Sequence, residues 1–155
     1  MTLRLKVLRI KSDWRSKRTL QTTLVSGELS HGRNHSGNRE QVLRRMVASQ
    51  LGRADGVFTE DAEYQNIPMG PAAKGKHAIR KVIDSLMPTV KGLEIKIPNT
   101  AANGNVVFNE RGDITDLGGG KRMELPVAGV FEVNGGKIAK WRDYFDIAMA
   151  TKQMG

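Results

Sequence analysis

Two carboxylates, an arginine, a phenol and an amide stand in this chain at spacings that suit acid–base chemistry. In VVFNERGDITDL (106–117), Val107, Asn109, Arg111, Asp113, Thr115 and Leu117 share one face of a strand, because residues two apart point the same way. That face sets a cation beside a carboxylate, within salt-bridge reach. In KIAKWRDYFDIA (137–148), the face with Ala139, Trp141 and Phe145 also carries Asp143. An ionised carboxylate among aromatic neighbours is costly unless paired, and otherwise its pKa rises. In DAEYQNIP (61–68), Tyr64 and Asn66 share a face with Ala62 just before a proline. Each group alone has a plain structural reading. Arg111 and Asp113 also fit an exposed ion pair of little energetic weight. Asp143 also fits a buried acid bonded to backbone, or a reversed register with Arg142 and Tyr144 inward, and Tyr64 fits a core residue with a satisfied hydroxyl. The joint occurrence on three segments is the stronger signal, since a sheet curled around a cavity brings them together.

The chemistry of such a set follows from elementary electrostatics. Two carboxylates held by one arginine can occupy different protonation states: the cation stabilises whichever is ionised, while repulsion and desolvation keep a proton on the other. One pocket then holds a general acid and a general base. Tyr64 and Asn66 can fix a water beside the base. These parts suffice to add water across a strained ring such as an epoxide, with no metal or organic cofactor. Proton transfer of this kind contributes roughly 10²- to 10⁴-fold per group.

The elements that must position these residues are legible in outline. EQVLRRMVASQL (40–51) has apolar residues at helical spacing with arginines opposite. A second helix follows the Met-Gly-Pro turn at 69–71, where Ala78, Ile79, Val82, Ile83 and Leu86 repeat at i, i+3, i+4, i+7 until Pro88 ends the run. From residue 92 the period changes to two, with strand runs at 93–97, 106–117, 123–133 and 138–147. Asn103-Gly104, Gly118-Gly119-Gly120 and Asn134-Gly135-Gly136 separate them, residues that suit short hairpins. Helices followed by a meander of strands is an α+β pattern, with the helices on one face of a curved antiparallel sheet.

Composition bounds the remaining choices. At 155 residues the chain makes one domain with a real core. It has no cysteine, which excludes disulfides, thiolate metal sites and a cysteine nucleophile. Nowhere do about 18 apolar residues run together, so a cytoplasmic protein without a membrane partner is expected. The net charge of +9 invites a nucleic-acid reading, but the first 40 residues hold nine basic and three acidic groups and the other 115 hold 16 and 13. A nearly balanced body gives a nucleic-acid partner no footing. Residues 1–38 read as a basic extension, a short edge strand or amphipathic segment followed by a flexible linker, with an organelle transit peptide or a phosphate-binding arm as the functional alternatives. His31 and His35 read as solvated linker residues, not metal ligands.

At EDAEYQNIPM, a helix like KGKHAIRKVI, the NERGD segment and GVFEVNGGKIAKWRDYFD, together spanning about residues 59–147, the sequence resembles the limonene-1,2-epoxide hydrolases. These lie within the NTF2-like (SnoaL-like) cone-shaped folds, and the WRDYF core is the most specific match. The resemblance implies an α+β domain over 39–155, with N-terminal helices packed on a curved, mainly antiparallel mixed sheet that forms a cone-shaped pocket. It implies a catalytic set of Tyr64, Asn66, Arg111, Asp113 and Asp143. In that set Asp143 is the base on a water held with Tyr64 and Asn66, Asp113 the acid to the epoxide oxygen, and Arg111 the bridge. A small apolar epoxide and water as substrates, no cofactor and a homodimer are implied as well. Two other functions use the same residues differently. An isomerase or cyclase on this fold needs a base and a donor such as Tyr64 but has no use for the Asp-Arg-Asp bridge, and a non-catalytic small-molecule-binding module needs neither carboxylate to transfer a proton.

Overall fold

The computed structural model of the chain describes residues 6–11 and 56–155. Seven strands form one sheet: β1 (Lys6–Lys11), β2 (Phe58–Asn66), β3 (Ala73–Lys74), β4 (Gly92–Asn103), β5 (Val106–Gly118), β6 (Lys121–Asn134) and β7 (Lys137–Tyr144), in the spatial order β1-β4-β5-β6-β7-β2-β3. Neighbours are antiparallel except β2 and β7, which run parallel. Among the described residues two α-helices accompany the sheet, α1 (Lys76–Leu86) and α2 (Ile147–Met154). This is the α+β, mainly antiparallel mixed sheet expected. The helix expected over 40–51 and the segment with His31 and His35 lie outside the described residues. Among the described residues, no helix is long and apolar enough to cross a membrane.

Hydrophobic spacing explains α1. Ile79 and Ile83, four apart, are buried on one side, and Arg80 and Asp84 pair across a turn of the helix with N–O distances of 2.8–2.9 Å. The Gly75 N–H donates to the Ala62 carbonyl at 2.7 Å, which fastens the start of α1 to β2. The β5–β6 hairpin turns on Gly118, Gly119 and Gly120, all at positive φ of 64–84°, a region that favours glycine.

The C-terminal end departs from the sequence reading, which continues a strand to residue 147. β7 stops at Tyr144, and α2 begins instead. Asp146 makes the difference: its Oδ1 accepts from the N–H groups of Ala148 (2.8 Å) and Met149 (3.1 Å), which caps the new helix. α2 has a structural task. β7 pairs with β6 only over residues 128–134, so the earlier part of β6 is an open edge. There the Gln153 side chain acts as a substitute peptide group, donating to the Glu124 carbonyl at 2.9 Å and accepting from the Glu124 N–H at 2.8 Å. Pro126, two residues on, points its missing N–H to the same edge, where no ladder bond is lost.

The core sits on the inner face of the sheet. Phe58, Tyr64, Ile79, Ile83, Ile95, Val107, Phe131, Ile138 and Trp141 form the main cluster, with Trp141 stacked near Phe58 and tilted against Tyr64 and Phe131. A second cluster of Leu125, Val127 and Ala150, with Met123 and Phe145 against it, lies where α2 meets β6.

Candidate functional site

The strand register builds a polar row across the inner face. Asn66 of β2 pairs with Asp143 of β7, Asp143 with Gly129 of β6, and Gly129 with Asn109 of β5. Arg111 and Asp113 follow along β5, paired with Val127 and Leu125, and Tyr64 sits one step back beside Trp141. The five side chains singled out in the sequence are therefore brought together. Asp143 and Trp141 face inward while Tyr144 is exposed, which removes the reversed register.

Arg111 is the centre of the constellation. Its Nη1 and Nη2 donate end-on to Oδ1 and Oδ2 of Asp143 at 2.9 and 2.7 Å. Its Nε donates sideways to both oxygens of Asp113 at 2.9 and 3.1 Å, and Nη1 also reaches Asn109 Oδ1 at 3.4 Å. Trp141 Nε1 adds a donor to Asp143 Oδ1 at 2.7 Å. Tyr64 donates its hydroxyl proton to Asn66 Oδ1 at 3.1 Å. This turns the Asn66 carbonyl inward to the phenol and leaves its NH₂ as the donor end. The side chains of Arg111 and Asp143 are 1% and 4% exposed, that of Asp113 17%. These are buried ion pairs, whose desolvation is offset only by such dense hydrogen bonding.

Local sequence explains how a guanidinium fits here. Between Lys96, opposite Gly112, and Asn99, opposite Glu110, β4 has one residue too many, so Ile97 and Pro98 together face Arg111. Such bulges bend a strand and re-aim its neighbours. On the other side Gly129 supplies the space. A Cβ there would lie 2.5 Å from Arg111 Nη1, 2.6 Å from Asn109 Oδ1 and 2.8 Å from Phe131 Cε2.

The protonation equilibria are displaced for identifiable reasons. Burial pushes the Asp113 carboxyl above the usual carboxylate range; Arg111 opposes this and the Asp143 charge adds to it. Burial also raises the Tyr64 phenol, assisted by the charge of Asp143, so it stays protonated. Burial works against the Arg111 cation, but Asp143 and Asp113 more than offset it and the net displacement is upward. The arrangement thus holds a fixed cation, a carboxyl biased to keep its proton, and a carboxylate supplied with three N–H donors. Among the described residues no three His, Cys, Asp or Glu side chains converge as a metal site requires.

Three participants escaped the sequence reading of the site. Alternation placed Asn109 and Trp141 on the right faces, but nothing local indicated that the indole N–H would bond Asp143. Gly129 becomes visible only once the register of three strands is known.

The fold and this site define an NTF2-like, SnoaL-like cone. A SnoaL-like protein structure from Jannaschia sp. CCS1 is similar with a TM-score of 0.63 at 16% identity, covering 79% of this chain and 96% of that one, a likeness of fold alone. The family is narrower. Residues 36–154 match the limonene-1,2-epoxide hydrolase catalytic domain, and the chain belongs to that family. It is 32% identical over 108 residues to the epoxide hydrolase EphG of Mycobacterium tuberculosis, covering 70% of each chain. The structure of an LEH-like epoxide hydrolase from M. tuberculosis is similar with a TM-score of 0.60 and 29% identity, over 74% of this chain and 90% of that one.

Proposed function

We propose that this protein hydrolyses an apolar, limonene-like epoxide to a vicinal diol in one step by general acid–base attack of water. Family membership supports epoxide hydrolysis in general. The observation that carries the finer reading is the unequal treatment of the two carboxylates by Arg111: Asp143 receives three N–H donors and suits an anion, whereas Asp113 receives one N–H, is pushed toward its protonated form and is the more exposed.

In this mechanism a water donates one hydrogen to Asp143 and one to the phenol oxygen of Tyr64, and accepts from the Asn66 NH₂. Asp143 takes the water proton as the new C–O bond forms. The ring C–O bond breaks, and Asp113 gives its proton to the departing oxygen. Arg111 remains a cation throughout and holds both acids in place. An isomerase or cyclase has no use for this bridge, so Arg111 favours hydrolysis. A homodimer belongs to the same proposal; the sheet's outer face carries exposed Phe108 and Tyr144, which suit a partner surface.

The test is diol formation from a panel of apolar epoxides, limonene-1,2-oxide first. Asp143→Asn and Asp113→Asn are each expected to lower the rate roughly 10²- to 10⁴-fold with the fold intact. In single turnover in ¹⁸O-water the label should enter the diol. Label in a protein carboxylate, or a near-normal rate in either variant, would overturn the two-carboxylate mechanism.

A further inference from the structure

The hydrogen bonds around Asp143 carry more than its role as a base. A carboxylate has about four acceptor positions, two on each oxygen. Oδ1 accepts Arg111 Nη1 at 2.9 Å and Trp141 Nε1 at 2.7 Å, so both its positions are filled. Among the described residues Arg111 Nη2, at 2.7 Å, is the one donor to Oδ2, which leaves that oxygen a second acceptor position. We propose that Trp141 is a positioning residue that blocks Oδ1 and so makes Oδ2 of Asp143 the oxygen that receives the water proton.

The indole is built to hold that contact. Trp141 is 1% exposed, and its ring lies between Phe58 at 6.3 Å, Tyr64 at 4.9 Å and Phe131 at 5.2 Å between centroids. All three are buried, so the indole cannot turn its N–H elsewhere without moving the core. Trp141 and Asp143 stand two apart on β7, which points both inward and keeps donor and acceptor in register. Tyr64, which packs on the same indole, also bonds Asn66, so one aromatic contact links the base to the groups proposed to hold the water. With phenylalanine at 141 the ring stack is largely kept, but Oδ1 gains an open position and a water can settle in two places, only one of them aligned with the epoxide.

The inference rests on Asp143 being the base, and the test separates the two ideas. With limonene-1,2-oxide as the probe, Trp141→Phe is expected to lower kcat about 10- to 100-fold, the size of one hydrogen bond to a charged group, while KM changes less than about twofold. The chain's two tryptophans, Trp14 and Trp141, give two indole N–H signals in a ¹H–¹⁵N spectrum, and Trp141→Phe identifies the second. That signal should lie downfield in the unmodified protein and move upfield in Asp143→Asn, a change that ring packing alone does not produce. An unmoved indole signal, or a wild-type kcat in Trp141→Phe beside an inactive Asp143→Asn, overturns the role of Trp141 and leaves the proposed function standing. An active Asp143→Asn removes both. If Trp141→Phe does not fold, Trp14→Phe assigns the two signals instead, and the spectrum of the unmodified protein against Asp143→Asn still decides.

Discussion

Replacing Gly129 by alanine should disable this site by a single methyl group. The added Cβ would lie 2.5 Å from Arg111 Nη1, whereas ordinary contacts begin at 3.4 Å, so the guanidinium must retreat by roughly 0.9 Å or β6 must shift. Neither is easy: Arg111 is anchored by Asp113 and Asp143, and Gly129 is paired on both sides, with Asn109 and Asp143. Overpacking costs about 1–3 kcal/mol and breaking a buried ion pair about 3–5 kcal/mol. Partial relaxation shares the strain between them, so a loss of about 2–4 kcal/mol is expected in urea unfolding. Diol formation should fall about 100-fold or more, the usual effect of a misplacement near 1 Å. Gly112, between Arg111 and Asp113, is the control. No heavy atom lies within 4 Å of a Cβ there, so Gly112→Ala should alter stability by no more than about 1 kcal/mol and leave turnover largely intact. A Gly129→Ala protein with the wild-type urea midpoint and rate would refute the claim that this glycine makes room for the guanidinium.

Two further outcomes follow from the charges and caps. Because the folded-state pKa of Asp113 is raised, the native protein retains a proton that the unfolded chain loses near 3.8, and stability falls as pH rises from there through the raised value. Urea titrations across pH should therefore show Asp113→Asn gaining on the wild type over that window and then levelling; a difference independent of pH would contradict the burial argument. Asp146→Ala removes both cap bonds of α2 and is expected to cost about 1 kcal/mol, read as a lower urea midpoint, with no change in KM for limonene-1,2-oxide.

Alternation along a strand is a local property, and what it dictates was legible in the sequence. The inward sets Asn109, Arg111 and Asp113 on β5, and Trp141 and Asp143 on β7, follow from a period of two. The length of β4 was not legible, because the bulge at Ile97 and Pro98 reverses the alternation. Ile95 and Ile97 face inward before it, and Ala102 packs on the core after it, so a reading by periodicity stops at 97. Helix α2 was hidden for a different reason: the apolar residues after Asp143 fit either period until Asp146 is recognised as a cap. The row from Asn66 to Asn109 depends on pairing between segments far apart in the chain, information that no local pattern holds.

The use of one arginine for two carboxylates answers a problem of charge. In the starting state of the proposed reaction Asp113 carries the proton and Asp143 does not, so the cage of one cation, one anion and one neutral acid has a net charge of zero. In the proposed reaction Asp143 gains a proton from water as Asp113 gives one to the epoxide oxygen. The sum stays zero, and no net charge has to enter or leave the low-dielectric interior, where the cost is large. The guanidinium need not move either, since its end-on side already faces Asp143 and its Nε already faces Asp113. After turnover the proton sits on Asp143, and the greater exposure of Asp113 gives solvent a route to restore it there. A carboxylate pair without the cation would have to bury a net negative charge throughout, and a single carboxylate with the cation would have no proton for the leaving oxygen. In the proposed mechanism the three side chains act as one unit, and removing any one should cost about as much as removing all three.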